Sequence, residues 1–334
     1  MRKHLLSLFA LSSMLFASSC SQEEVISQST GNEVKVSFTT ELRSDVKSRA
    51  VGNDTKHINQ LQFAVYQNGK HLNLLQPTIS EFEDGENGTK KATIEVTLVK
   101  GQTYSFAFWA QDAAYPAYTF NPATAEVSID YTNTFANDRS GDAFFGQVID
   151  HTVTGTFSQE VTLKRPFAQV NFLTTKKDLD DARKAEFDPT SSTITVANVA
   201  NKLNLLDGSV DDNADEQEFM MNDLLFENDE LATTTIKGVQ GTYYYLATAY
   251  ILPAKAENED IITATMTVEG GTVSPATLVA ENIKAQRNYR TNIYGNLLTD
   301  NGTFNVTVDP GFEENDTNFP GTDAEKLADR KSVV

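Results

Sequence analysis

The chain has 334 residues, with 46 Asp and Glu against 27 Lys and Arg and a formal net charge of -19. Such a charge repels nucleic acid phosphates and anionic lipid headgroups, which excludes nucleic-acid binding as a function class. One cysteine, Cys20, leaves nothing from which to build a disulfide framework or a Cys-ligated metal cluster, so stability must come from an apolar core; the length suffices for two domains.

At the N-terminus Arg2, Lys3 and His4 precede a mostly apolar run from Leu5 to Phe16, the small residues Ala17, Ser18 and Ser19, and then Cys20. This is the layout of an export signal. Its apolar run is shorter than the roughly 20 residues a helix needs to span a bilayer. The position of Cys20 predicts lipidation, with a thioether-linked diacylglycerol and a palmitate-type N-acyl chain, since stable anchoring takes more than one chain. With Cys20 so used, no thiol remains for catalysis. Ser21-Gln22-Glu23-Glu24 follows, an acidic tether of the kind that accompanies lipoproteins displayed on the outer face of Gram-negative cells.

Strand patterns dominate the rest. Val34-Lys35-Val36-Ser37-Phe38 alternates apolar and polar residues, as do Leu61 to Val65, Ile94 to Leu98, Val127 to Ile129, Ile261 to Val268 and Phe304 to Val308. A period of two means one buried and one wet face. Turn-forming clusters at 67–70, 84–88, 269–271 and 300–302 separate these segments. Helical periodicity is confined to Asp178–Phe187, and Asp223 to Phe226 is too short to assign. Val36-Ser37-Phe38-Thr39-Thr40 is echoed by Val170-Asn171-Phe172-Leu173-Thr174-Thr175. Val99 to Tyr104 is echoed by Val239 to Tyr243 at a nearly equal offset, which points to two related sandwiches in tandem.

Between the first strand and the second lies a polar stretch with two arginines, Arg43 and Arg49. Exposed polar loops are where proteases cut. Cleavage after Arg49 would make Ala50 the new N-terminus and detach the lipid together with the strand at 34–40; cleavage at Arg43 is the lesser option, and a plain linker is the other reading. Val34, Val36 and Phe38 form the apolar face of that strand. Its removal would open an apolar groove and an unpaired edge that another chain's strand could fill.

No catalytic or metal-binding constellation emerges. His57, His71 and His151 are isolated, and there is no His-Glu-x-x-His, Gly-x-Ser-x-Gly or phosphate loop. The acidic run Asp207 to Glu216 has oxygen ligands that suit Ca²⁺ but no recognised loop spacing, and reads better as a solvated loop. The expectation is a non-enzyme with no cofactor. The aromatic segments Tyr104 to Trp109 and Tyr243 to Tyr245 could stack on sugars or fill a core.

Two longer segments carry a family resemblance. Leu163-Lys164-Arg165-Pro166-Phe167-Ala168-Gln169-Val170-Asn171-Phe172 and Asn288-Tyr289-Arg290-Thr291-Asn292-Ile293-Tyr294-Gly295-Asn296-Leu297-Leu298-Thr299 resemble strands of the FimA-like fimbrillins, the type V pilins. The resemblance implies an all-β chain of two tandem antiparallel β-sandwiches of transthyretin-like, Greek-key type. The divisions are a signal peptide at 1–19, a lipidated prosegment at 20–49, sandwiches at 50–155 and 156–312, and a polar acidic tail at 313–334. It further implies a fimbrial subunit with a role in cell adhesion, carried to the outer membrane by its lipid and trimmed by an arginine-specific protease at Arg49-Ala50. Such subunits polymerise with other pilin subunits by donor-strand exchange. The tail alternates poorly for a donor strand, which keeps open a permanently lipid-anchored role, as pilus anchor, tip or glycan-binding lipoprotein with a glycan or host-surface ligand.

Overall fold

A computed structural model describes residues 32–42, 55, 57–73, 78–84, 90–134, 138–211, 215–221, 232–237, 239–254, 260–271, 274–299 and 304–310. The fold is all-β, as the alternating patterns require. The first sheet holds β1 (Glu33–Leu42), β4 (Thr78–Ile79), β5 (Glu83–Asp84), β6 (Lys90–Val99) and β11 (Phe157–Leu163), in the order β11-β1-β6-β4 with β5 also on β6. Facing it is a sheet of β2 (Gln60–Gln67), β3 (Lys70–His71), β7 (Thr103–Gln111) and β10 (Phe144–Thr152), ordered β10-β7-β2-β3. A small sheet of β8 (Tyr118–Asn121), β9 (Glu126–Ile129) and β14 (Lys202–Asn204) bridges to the second half.

That half is built on one large sheet. Its path is β19 (Ala276–Ala285), β18 (Asp260–Gly270), β13 (Pro189–Ala200), β17 (Val239–Pro253), β12 (Ala168–Thr174), β20 (Tyr289–Gly295) and β21 (Phe304–Pro310), with β15 (Asp215–Met221) on β13 and β16 (Ala232–Ile236) on β17. Two pairings are parallel, β1 with β11 and β12 with β20; the other strand pairs are antiparallel. The one α-helix among the described residues, α1 (Lys176–Lys184), starts two residues before the predicted Asp178 because Thr175 caps it, its hydroxyl accepting from the Asp178 N–H. The apolar-looking segment 223–226 and the turn clusters at 84–88 and 300–302 include residues outside those described. Among the described residues no helix is long and apolar enough to cross a membrane.

The cluster at 67–70 forms the tight β2–β3 turn. Asn68 and Gly69 both take positive φ, 51° and 73°, the pair of left-handed conformations a two-residue hairpin turn needs. β7 lacks alternation for a different reason. Tyr104, Phe106 and Phe108 face the first core, while Ala107 and Trp109 join a second core continuous with the large sheet. A strand buried on both faces has no wet residues to alternate with. Residues from Phe157 to Leu163 lie in the first sheet, so the first core extends past the expected division at 155 and takes in β11.

The seam between the halves is polar as well as apolar. Tyr131 is buried, donates to the Ala200 carbonyl at 2.9 Å and accepts from the Leu252 N–H at 3.1 Å. Burial holds its phenol proton far above the usual range near 10. Its contribution is therefore complete below about pH 10, where the unfolded tyrosine ionises, and fades as pH rises beyond that. Tyr131→Phe leaves both backbone groups without this partner, and urea unfolding is expected to show a loss of about 1–3 kcal/mol.

Candidate functional site

The strand predicted at 34–38 is the middle of the first sheet. β1 pairs antiparallel with β6, placing Val34 opposite Leu98, Val36 opposite Val96, Phe38 opposite Ile94 and Thr40 opposite Ala92. On its other side it runs parallel to β11, with Val36 opposite Phe157 and Leu42 opposite Leu163. Alternation carries one face inward: Val36, Phe38, Thr40 and Leu42 are buried, and Val34 is partly buried at the open end. The predicted Val34, Val36 and Phe38 face the core as expected. Thr40 and Leu42 complete the same face, a continuation that the period-two rule could have found had it been carried four residues further. Lys35 points outward to an exposed ion pair with Glu95 at 3.2 Å.

Because β1 is interior, its departure would expose two strand edges, on β6 and on β11, where the sequence led us to expect one. β11 is an edge strand whose ladder among the described strands is to β1. Its far end is held independently. Phe145 and Lys164 exchange both backbone hydrogen bonds, at 2.9 and 2.8 Å. Gly146 of β10 lets β11 come so close that a Cβ there would sit 2.6 Å from Leu163 Cδ2 and 3.1 Å from Val161 Cγ1. Gly146→Ala is expected to push β11 away and lower stability by about 1–3 kcal/mol, read as an earlier urea midpoint. Just beyond β11, the buried Arg165 grips Asp142, its Nε lying 2.7 and 2.8 Å from the two carboxylate oxygens. Its Nη1 donates to Asn288 at 3.1 Å, and its guanidinium lies 4.8 Å from the centre of the Phe144 ring.

The two segments that carried the family resemblance turn out to be partners. β12 and β20 run parallel in register from Gln169 opposite Arg290 to Thr174 opposite Gly295. A buried polar row crosses four strands there. Thr248 of β17 donates to Asn171 at 2.9 Å, Asn171 to Asn292 at 2.8 Å, and Asn292 to Asp309 of β21 at 3.0 Å. Asp309 also accepts from Thr307 at 2.7 Å and from the Lys237 N–H at 2.8 Å. The buried Asp178 accepts from Thr174 and from the Leu298 and Thr299 N–H groups, tying α1 to the end of the second motif. These motif residues hold the second sandwich together.

The remaining sequence candidates fall differently. Cys20, Arg43, Arg49 and Ala50 lie outside the described residues, as does the tail at 313–334. Tyr104, Phe106, Phe108, Trp109, Tyr244 and Tyr245 are buried and fill cores, whereas Tyr243 is only partly buried, its ring edge-on to Tyr294 at 6.0 Å. In the acidic run, Asp207 accepts from the Ser209 N–H, and Asp211 from the Asn201 and Lys202 N–H groups, so both carboxylates secure turns.

A profile of the family of unknown function DUF6562 matches residues 27–329. The chain belongs to that family. No curated relative matches it significantly. Among solved structures, the DUF6562 chain is similar to a candidate polysaccharide-binding protein from Bacteroides thetaiotaomicron at 13% identity, covering 84% of this chain and 99% of that one with a TM-score of 0.45. It is similar to a candidate cell adhesion protein from Bacteroides ovatus at 11% identity, covering 84% and 98% with a TM-score of 0.43. It is also similar to a fimbrial assembly protein from Parabacteroides distasonis at 14% identity, covering 83% and 100% with a TM-score of 0.37.

Proposed function

We propose that this protein is a structural, adhesive subunit of a surface fimbria, a FimA-like type V pilin, and not an enzyme. It is made as a lipoprotein precursor held at the outer membrane through Cys20. An arginine-specific protease cuts between Arg49 and Ala50, β1 leaves with the prosegment, and the strand of another pilin subunit takes its place. One observation carries this reading: β1 is an interior strand with one face turned into the core, and the chain that leads from it to β2 passes through residues 43–54, where both arginines lie. Cutting there and losing β1 turns a finished sheet into a strand-shaped groove. An open groove with two edges is a strong template for strand addition, and repeating the exchange from subunit to subunit gives a filament.

The deciding measurement is the N-terminus of the mature surface protein. Ala50 as the first residue is the expected result. Material that carries only acylated Cys20 would sink the pilin reading and leave a permanently lipid-anchored surface protein.

A further inference from the structure

We infer that the groove left by β1 selects its occupant mainly at the Phe38 position, and that its guest is a strand reading apolar–x–apolar–x–aromatic–x–hydroxyl–x–aliphatic. This rests on the reading of β1 as an exchangeable strand. Phe38 is fully buried among four rings: Phe106 at 4.6 Å between centroids, Phe108 at 5.5 Å, Phe157 at 5.7 Å and Phe63 at 6.0 Å. Those rings come from β2 and β7 of the facing sheet and from β11 beside it, so the cage belongs to what stays behind when β1 departs. The facing rings also pack on one another, Phe63 stacking on Phe106 at 6.1 Å and 12°. A cage braced in this way has little room to collapse, and an aliphatic or small guest leaves a hole in it.

The next inward position asks for something different. Thr40 is fully buried opposite Ala92, and its hydroxyl donates to the Ala92 carbonyl at 3.0 Å. A compact β-branched hydroxyl satisfies both the space and the bond. Leu42 closes the run, fully buried opposite Leu163, whereas Val34 at the other end is only partly covered. Demand on the guest therefore rises from the open end to the cage. Direction is set as well, since the guest must run parallel to β11 and antiparallel to β6. Alternation alone describes a very large class of strands; an aromatic followed two residues later by Thr or Ser describes far fewer, and gives the groove a means to choose one subunit over another.

The test uses the full chain carrying a site-specific protease sequence within 43–54. After cutting, the protein is challenged with fluorescent peptides of residues 32–43 and exchange is followed by anisotropy. The wild-type peptide is expected to enter. Phe38→Ala is expected to bind at least about a hundredfold more weakly, Val36→Ala to be hurt distinctly less, and Thr40→Val to lose about fivefold to tenfold. Entry of the wild-type peptide with Phe38→Ala binding as well as Val36→Ala would overturn the selection proposed here and leave the exchange reading standing. No entry of the wild-type peptide would overturn the exchange reading, and the selection with it.

Discussion

A chain beginning at Ala50 is expected to lose the monomeric state. Without β1, the rings of Phe63, Phe106 and Phe108 that it covers are exposed, and the edges of β6 and β11 lose their backbone partner. Val36, Phe38 and Leu42 are at most 1% exposed, and each such side chain is worth roughly 1.5–3 kcal/mol on burial. The first sandwich therefore forfeits several kcal/mol, comparable with the whole stability of many domains. Two routes recover it: pairing with another molecule, or loss of the fold in that half. Light scattering after gel filtration should show oligomers or aggregates for the truncated chain and monomers when residues 32–43 are supplied as a peptide during refolding. A monomeric, cooperatively folded truncation with the unfolding midpoint of the longer chain would remove β1 from any role as a structural strand.

The second large effect is expected at Arg165 and Asp142. Both are nearly inaccessible, at 4% and 1%, and Arg165 follows β11 by two residues. Asp142→Leu would leave a buried guanidinium without its carboxylate, and Arg165→Met would leave a buried carboxylate without its guanidinium. Removing one partner of such a pair typically costs about 3–5 kcal/mol, whereas replacing both with apolar residues of similar size often costs little. A double-mutant cycle in urea should then show each single variant strongly destabilised and the pair of changes much less so. The pair also has a consequence for the groove. With Gly146 and the Phe145–Lys164 bridge, it fixes the Val161–Leu163 end of β11 to β10 by contacts that do not involve β1. Single variants at either residue should therefore admit the 32–43 peptide more slowly than the parent chain does. Additive single effects in the cycle would show that the two side chains act independently.

Much of the fold was legible because a strand with one wet face writes its burial into the sequence. β1, β6 and β18 alternate, and the structure buries one face of each, although Ile261 at the start of β18 points outward and is 42% exposed. The short helix, the Asn68–Gly69 turn and the inward set Val34, Val36 and Phe38 were readable from neighbours a few residues apart, whereas the Thr175 cap that starts the helix two residues early was missed. β12 and β7 were harder. Every residue of β12 is buried, including Gln169, Asn171 and Thr174, so polarity there marks a hydrogen-bonded row between strands and not a wet face. The aromatic segments left two uses open, and only the covering of β7 on both faces assigns its rings to cores.

Several features of the site involve residues far apart in the chain. The parallel pairing of β11 with β1 joins residues more than a hundred positions apart, and Arg165 meets Asn288 across a separation of 123. The two family motifs were read as separate segments, and their register against each other belongs to the large sheet. Local periodicity reports that a face is buried without saying which strand lies beside it, because that choice is made by closure of the sheets and by packing across them. The sequence by itself determined the all-β class and the amphipathic strand ahead of Arg43 and Arg49. Only the tertiary structure decided that this strand is interior, that two edges and a ring of four phenylalanines surround it, and that β11 is pinned to β10 at its far end. Those depend on contacts between distant segments, which no local pattern encodes.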